Sequence, residues 1–272
     1  MHMASGLLTA LLFVGCNAAF GASAADGAIG KALAGAHRTE SNRARDVYRN
    51  PRETLTFFGL QPHMHVVEIS PGGGWYTEVL APILRDKGRL YAAHSHVDES
   101  STEYVRKSRE AYVQKLARTP AVYDKVVVTS VDAPRHTNIA PKGSADLVLT
   151  FRNVHNWTAA GNDEAMFKAF YDALKPGGVL GVVEHRAKEG TSIEDMKRTG
   201  YMTETYVIRL AERAGFRLAG RSEVNANPKD TKDHPNGVWS LPPNVRGGAV
   251  DRDKFLAIGE SDRMTLRFTK AQ

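Results

Sequence analysis

A short stretch before residue 75 decides the fold: His65-Val66-Val67-Glu68-Ile69 runs into Ser70-Pro71-Gly72-Gly73-Gly74. Its first half is short, apolar and β-branched, which is typical of a buried strand. The glycines permit positive φ angles and let a ligand approach the backbone closely. A helical pattern follows, so free N–H groups and the positive end of a helix dipole point toward the same turn. The stretch predicts a strand, a ligand-binding glycine turn and a helix.

The same alternation of strand and helix continues along the chain. Unbroken apolar strands separated by amphipathic helices predict an α/β fold with a buried parallel sheet. Ligands of open α/β sheets bind outside the carboxyl ends of the strands, where the strand order reverses. The predicted strands are residues 65–69, 89–94, 125–129, 145–151, 179–184, 216–224 and 264–269.

Composition excludes several classes of protein. The 272 residues are 42% hydrophobic, which is enough for a sizeable core and argues against disorder. One cysteine excludes an internal disulfide and a cysteine-rich metal site. The net charge of +6 is mild for this length and identifies no anionic partner. No aromatic platform or basic stripe indicates nucleic-acid binding, so a small-molecule partner is expected.

The first 24 residues are interpreted as a signal peptide. Residues 7–15 form an apolar run too short to cross a bilayer, and Ala22-Ser23-Ala24 is a small-x-small cleavage site. Cleavage there predicts an exported, periplasmic protein. One alternative is a lipoprotein that is cleaved before Cys16. The other is that these residues are no leader, either because the start of the chain is wrongly assigned or because they form a buried N-terminal helix. No later stretch is long enough to span a membrane, and residues 25–272 are predicted to form one domain.

Two other segments have open interpretations. Residues 226–262 are rich in Pro, Asn and Gly, and a stretch of this length is interpreted as a long loop or a lid over the site. Residues 42–58 predict a helix broken near Pro51, with arginines on one side. A solvated face is the preferred interpretation of those arginines, and an anion site is the alternative.

Several motifs together resemble the class I S-adenosylmethionine-dependent methyltransferases. Glu68–Gly74 is similar to their acid-x-Gly-x-Gly-x-Gly motif, with Ser70 at a glycine position. Asp132-Ala133 resembles the acidic pair that contacts the adenine amino group, and 174–178 is similar to their Leu-Lys-Pro-Gly-Gly turn. More narrowly, the stretches at 71–77 and 151–157 resemble a group of predicted, often exported bacterial methyltransferases.

This resemblance implies a Rossmann-like doubly wound sheet of about seven strands, mostly parallel, with an antiparallel last strand. It also implies that S-adenosylmethionine lies across the turn, with its methionine part facing Glu68 and Gly72, Gly73 and Gly74. The adenine would lie near Asp132 and Ala133. The family usually ends strand two with an acid that accepts hydrogen bonds from the ribose, and here His94 occupies that position. Loss of a charge-assisted bond weakens binding roughly 10- to 100-fold.

Histidines after strands four and five are the candidate general bases. His155 is the first candidate and His185 the second, because an imidazole can accept a proton near neutral pH. The alternative is that each is a hydrogen-bonded structural histidine. Other polar and aromatic residues near these strand ends are candidates for fixing the cofactor or an acidic acceptor (Arg152, Asn153) and for lining the acceptor pocket (Tyr76, Trp157).

Two further functions are kept as alternatives to methyl transfer. A protein that retains the fold could bind a nucleoside-like ligand or a protein partner without catalysis, which His94 and the leader favour. A metal-dependent enzyme is the less favoured alternative, since His94 and His96 have i, i+2 spacing on an extended segment. The sequence therefore predicts a methyltransferase with an unidentified acceptor and no resident metal.

Overall fold

The computed structural model describes residues 15–247 and 250–271 of the chain. Seven strands form one sheet with the spatial order β3-β2-β1-β4-β5-β7-β6. All neighbouring strands are parallel except β7, which runs antiparallel to both β5 and β6. The predicted doubly wound sheet is confirmed. The strands are β1 His65–Ile69, β2 Arg89–Ser95, β3 Val126–Val131, β4 Ala145–Phe151, β5 Leu174–His185, β6 Phe216–Ser222 and β7 Arg263–Lys270.

Helices cover both faces of this sheet. The first group, most of which packs on one face, is α1 Gly15–Ala34, α2 Glu40–Arg43, α3 Asp46–Arg49, α4 Pro51–Phe58, α5 Thr77–Leu84, α6 Glu103–Arg118 and α7 Pro120–Tyr123. The second group, most of which packs on the other face, is α8 Val154–Ala160, α9 Asp163–Ala173, α10 Ile193–Thr199, α11 Glu204–Arg213 and α12 Arg252–Ile258.

Successive strand residues alternate between two hydrophobic cores. In β4, Leu147 and Leu149 pack with α1 and α4 to α7, whereas Val148 packs with α8 to α11. All three side chains are at most 1% exposed. Burying each one contributes on the order of 1.5–3 kcal/mol to folding. Because both faces are covered, these strands are apolar throughout, as the sequence pattern predicted.

Three local expectations need correction. Residues 42–58 form the three short helices α2, α3 and α4, because Asn50 adopts a left-handed backbone (φ 40°) before Pro51. Asn162 directly precedes the helical pattern of α9, a position that predicts a side-chain cap. Its side chain does not cap the helix, and its amide donates instead to the backbone oxygen of Ala133 at 3.1 Å. The segment 226–262 contains α12 and a 3₁₀ helix at Gly237–Ser240.

Most of the leader lies outside the described residues, which start at residue 15. Both proposed cleavage positions, after Ala24 and before Cys16, fall within α1. Helix α1 is a 20-residue helix whose later turns pack against α4 and α5. No helix among the described residues is long and apolar enough to cross a membrane.

The strand order reverses between β1 and β4, which are adjacent and parallel in the sheet. Their carboxyl ends therefore open a crevice, with the loops after β1 and β4 on its two sides. The residues that follow Ile69 and Phe151 are thereby brought together.

Candidate active site

The turn after β1 keeps the backbone conformation of a glycine-rich loop. Gly72 and Gly74 have φ angles of 57° and 76°, and Ser70 adopts 49° although it carries a side chain. This left-handed region favours glycine, which fits the glycine position that Ser70 occupies in the motif. A Cβ atom added at Gly72 or Gly73 would meet nothing within 4 Å, whereas one at Gly74 would lie 3.0 Å from Tyr112. The exposed side of the turn is therefore open.

A first cavity of about 280 Å³ lies between this turn and the loop after β4. Its lining includes Glu68, the backbone from Ser70 to Gly73, and Asn153. Tyr76 and Phe151 also line it, with their rings stacked at 3.4 Å between centroids. The cavity thus joins polar backbone, a carboxylate and an aromatic surface.

A second cavity of about 360 Å³ lies on the other side of Ser70, which lines both. It contains Asp132, whose carboxylate accepts a hydrogen bond from Arg135 Nε at 3.1 Å. Trp157 lines this second cavity whereas Tyr76 lines the first, so the two aromatic residues that the sequence assigned to one acceptor pocket lie in different cavities. Because both are lined by Ser70, the two cavities lie next to each other, and we call the pair, with the glycine turn in the first and Asp132 in the second, the hollow.

Ala133 and Asn153 are held by backbone contacts at the edges of this hollow. Ala133 is 3% exposed, and its carbonyl accepts the amide of Asn162. Asn153 Nδ2 donates to the backbone oxygen of Ile69 at 3.3 Å, so it ties the loop after β4 to the end of β1. Asn153 therefore lines the first cavity, whereas Ala133 lines neither cavity and contacts the second only through Asn162.

Glu68 is a buried carboxyl group at the edge of the first cavity. It is 2% exposed and accepts a hydrogen bond from Thr77 Oγ1 at 2.6 Å. Burial raises its pKa to about 7, although Thr77 and Lys115 act in the opposite direction. A cation in the cavity would oppose this shift and favour the ionised form of Glu68.

We expect Glu68→Gln to remove a pH dependence from the free energy of unfolding. The folded-state pKa of about 7 lies above the ordinary value of 4.5, so Glu68 lowers stability as pH rises from about 4.5 to 7. The loss is on the order of 3 kcal/mol in the wild type and absent in the variant. Urea unfolding at pH 4.5, 6 and 7.5 measures it, with the exposed Glu110→Gln as control. Equal pH slopes in wild type and Glu68→Gln would contradict the burial argument.

Arginines converge on one carboxylate beside the first cavity. Glu260 Oε1 lies 2.6 Å from Arg45 Nε, and its Oε2 lies 3.3 Å from Arg49 Nε and 2.8 Å from Arg263 Nη2. Arg152 Nη1 approaches the same oxygen at 3.6 Å. We call Arg45, Arg49, Arg152 and Arg263 the arginine cluster. The solvated-face interpretation is wrong for Arg49, which is 2% exposed, and Arg45 is only partly exposed.

Burial and mutual charge shift the pKa values of Glu260 and of two arginines in the cluster. Burial alone would raise the pKa of Glu260, but the four guanidiniums, with Arg263 the strongest, lower it to about 2. Burial and then the neighbouring Arg152 lower the pKa of Arg49 to about 8. For Arg152, burial lowers the pKa to about 10. Both guanidinium shifts show how unfavourable this concentration of buried positive charge is.

The two candidate bases lie next to each other, with ring centroids 5.2 Å apart. His155 is 6% exposed, and its Nδ1 lies 3.0 Å from Glu184 Oε1. The other carboxylate oxygen of Glu184 accepts the backbone N–H of Val154 at 2.5 Å. A proton on Nδ1 donates to Glu184, which leaves Nε2 of His155 as a proton acceptor.

His185 is bound differently from His155. Its Nδ1 lies 2.5 Å from Ser261 Oγ, and burial followed by the charges of His155 and Arg152 holds its pKa well below the ordinary value. It is therefore neutral at physiological pH. Neither His155 nor His185 is among the residues that line the two cavities.

The structure does not place His94 where a ribose could reach it. His94 is 2% exposed, its ring lies 5.2 Å from that of Tyr112, and it lines neither cavity. Burial and then Arg109 lower its pKa. Asp98 lines the second cavity instead, and it is the carboxylate nearest in sequence to the end of β2. His96 differs from His94, because it lines the second cavity and its ring stacks on that of His136.

Sequence reasoning missed Glu184 and Glu260. Glu184 had a detectable signal, because it is an acid near the carboxyl end of β5 much as Glu68 is in β1. Glu260 had none, since its partners Arg45 and Arg49 are more than 200 residues away.

Comparisons with known proteins give matches in structure alone. No family model matches the chain, and no curated protein matches it. A SAM-dependent methyltransferase from Aquifex aeolicus is 16% identical, with a TM-score of 0.54 over 83% of this chain and 92% of that one. The [4+2]-cyclase SpnF is also 16% identical, with a TM-score of 0.56 over 93% and 95%.

A third similar structure is the glycopeptide N-methyltransferase MtfA complexed with sinefungin, at 14% identity and a TM-score of 0.51 over 84% of this chain and 87% of that one. The chain has the class I methyltransferase fold. Two further similar chains are longer, and this chain spans 56% of each. At these identities the likeness is one of fold, so the chemistry has to be argued from the site.

Proposed function

We propose that the protein transfers a methyl group from S-adenosylmethionine to a small-molecule acceptor. The observation that carries this proposal is the hollow formed by two cavities that share Ser70. It extends from the Glu68 carboxylate to Asp132 across the open side of the glycine turn. The hollow lies at the strand-order reversal, where sheets of this kind bind ligands.

The residues of the hollow fit the two chemically different ends of this cofactor. Glu68 offers negative charge for an ammonium or sulfonium group, and Gly72 and Gly73 leave room beside their backbone. The second cavity combines Asp132 and Asp98 with apolar neighbours (Val131, Trp157, Met166), which suits a nucleoside. Sinefungin, a cofactor analogue, is bound by one of the proteins with a similar fold.

S-adenosylmethionine supplies a methyl group on a sulfonium leaving group. The chain has to hold the acceptor atom in line with that methyl, which is mainly a matter of positioning. Tyr76, Phe151 and Asn153 lie across the first cavity from the turn, where they would limit the orientation of an acceptor. The first cavity, at about 280 Å³, suits a small molecule better than a polymer.

His155 is the better of the two candidate bases. Glu184 fixes the proton on Nδ1 and leaves Nε2 free to accept one, whereas His185 is bonded to Ser261. An acceptor that needs a base would have to extend beyond the first cavity, because His155 does not line it. A base is dispensable when the attacking atom carries no proton that must be removed.

The alternatives give different experimental results. A similar structure is described as a [4+2]-cyclase, so a protein of this fold could use the hollow without methyl transfer. A metal-dependent reaction would use His155, Glu184 and His185, whose ligand atoms lie within 4.8 Å of one another. The Glu184 oxygens, however, already accept backbone N–H groups of Val154 and His185. Export to the periplasm is proposed from the leader alone.

Calorimetric titration with S-adenosylhomocysteine tests the proposed function. We expect saturable binding of one molecule per chain, in the presence of a chelator, and weaker binding of adenosine, which lacks the amino-acid part. Metal analysis of protein purified without chelator tests the metal alternative in parallel. Absence of saturable binding would contradict methyl transfer from this cofactor, and a stoichiometric metal ion in the purified protein would support the metal alternative.

A further inference from the structure

The first cavity carries more positive charge than its own residues neutralise. Arg45, Arg49 and Arg152 line it, and Arg263 lies behind them. Among the described residues, Glu260 is the one carboxylate that all four approach within 4 Å, and Glu68 is the one acid in the lining of the cavity. A net positive charge therefore faces the cavity.

Two guanidinium nitrogens of this cavity are buried without a hydrogen-bond partner among the described residues. They are Nη1 of Arg49 and Nη2 of Arg45. Arg49 is only 2% exposed, and its guanidinium lies over the ring of Trp75, 4.6 Å from the ring centroid. Buried donors of a charged group are almost always paired in folded proteins, so these arginines have hydrogen-bonding capacity that the described residues do not use.

The cofactor of the proposed function does not supply enough negative charge. S-adenosylmethionine has one carboxylate, but its ammonium and sulfonium groups give it a net charge of about +1 at neutral pH. Its carboxylate can occupy one guanidinium in a bidentate pair. Because the cofactor adds a net positive charge, its binding would increase the total positive charge around the cavity unless a second anion also enters.

We propose, on the basis of the proposed function, that the methyl acceptor carries a carboxylate or phosphate group, which Arg45, Arg49 and Arg152 bind in the first cavity. The stacked rings of Tyr76 and Phe151 provide apolar surface in the same cavity. An oxyanion attached to an organic skeleton therefore fits better than a free inorganic ion. Arg152 has a φ angle of 62°, and such backbone strain is concentrated at functional sites.

Benzoate and benzamide are matched probes for this site, because they have the same shape and differ in charge. Each is titrated into the complex with S-adenosylhomocysteine and into the free protein. We expect benzoate to bind at least about 10-fold more tightly than benzamide in both. Arg45→Gln and Arg152→Gln are each expected to weaken benzoate roughly 10- to 100-fold. The distant, half-exposed Arg213→Gln is the control and should change neither affinity.

The same variants separate the two sources of the anion. Under the proposal, benzoate binds to the complex, and Arg152→Gln changes S-adenosylhomocysteine affinity by less than about 3-fold. The opposite result is that S-adenosylhomocysteine excludes benzoate and that Arg45→Gln and Arg152→Gln both strongly weaken the binding of S-adenosylhomocysteine. In that case the arginines bind the cofactor carboxylate and the proposal is overturned. Equal affinity for benzoate and benzamide overturns it as well. Arginine-dependent benzoate binding without any S-adenosylhomocysteine binding would overturn the proposed function and retain the anion site.

Discussion

Glu260→Gln is expected to lower the free energy of unfolding by about 3–5 kcal/mol, because removing one partner of a buried ion pair leaves the other charge uncompensated. Arg49 and Arg263 are both 2% exposed and would face each other without a neutralising carboxylate. Urea unfolding at pH 7 measures the loss. Glu164→Gln, at an exposed pair with Arg213, is the control and should cost less than about 1 kcal/mol.

The pH dependence of that loss follows from the pKa of Glu260. The folded-state pKa of about 2 lies below the ordinary value of 4.5, so the carboxylate contributes stability above about pH 4.5 and loses it as the pH falls toward 2. The contribution is on the order of 3 kcal/mol. Wild type and Glu260→Gln should therefore converge in stability only as the pH falls to about 2. A constant difference across this range, or a loss under 1 kcal/mol at pH 7, would show that Glu260 does not hold the cluster together.

Gly73→Asp is expected to weaken S-adenosylhomocysteine on the order of 100-fold or more. Gly73 does not have a positive φ, and a Cβ there meets no atom within 4 Å, so the variant should fold. Its carboxylate would occupy the open side of the turn and repel the carboxylate of the ligand. Calorimetric titration measures the affinity.

Gly73→Ala is the matched control for this variant, because it adds a methyl group without charge. We expect it to bind several-fold more weakly than wild type but far more tightly than Gly73→Asp. Thermal unfolding checks that both variants fold. Unchanged affinity in Gly73→Asp would remove the turn after β1 from the ligand site.

Local sequence patterns predicted the architecture well. Strands β1 and β4 have the predicted bounds, 65–69 and 145–151, because each is an apolar run with polar, glycine or turn residues on both sides. Strand β5 begins earlier than predicted: Leu174 pairs with Ala145, and the register shifts before Val179 pairs with Leu147. Irregular pairing of this kind depends on the neighbouring strand, and the pattern of one strand does not contain it.

The site was less predictable, because its important contacts join distant parts of the chain. The turn and Asp132 were found from motifs, and they line two adjacent cavities that share Ser70. His94 shows the limit of that reasoning: its position matches the ribose-binding acid of the family, but its side chain is enclosed against Tyr112. An aspartate introduced there would be buried without an evident partner, so we expect His94→Asp not to tighten cofactor binding.

The arginine cluster is the clearest case of a feature that no local pattern contains. Arginines at 45 and 49 have the spacing of a solvated helix face, and only the fold brings Glu260 and Arg152 against them. Their burial is a tertiary property, since α3 packs next to the loops after β4 and before β7.

A crystal structure of the protein grown with S-adenosylhomocysteine tests the central claim most directly. The account predicts one ligand that crosses Ser70, with its amino-acid part in the cavity beside Glu68 and its adenine in the cavity with Asp132. A well-ordered ligand elsewhere on the protein, or both cavities empty at saturating ligand concentration, would contradict it.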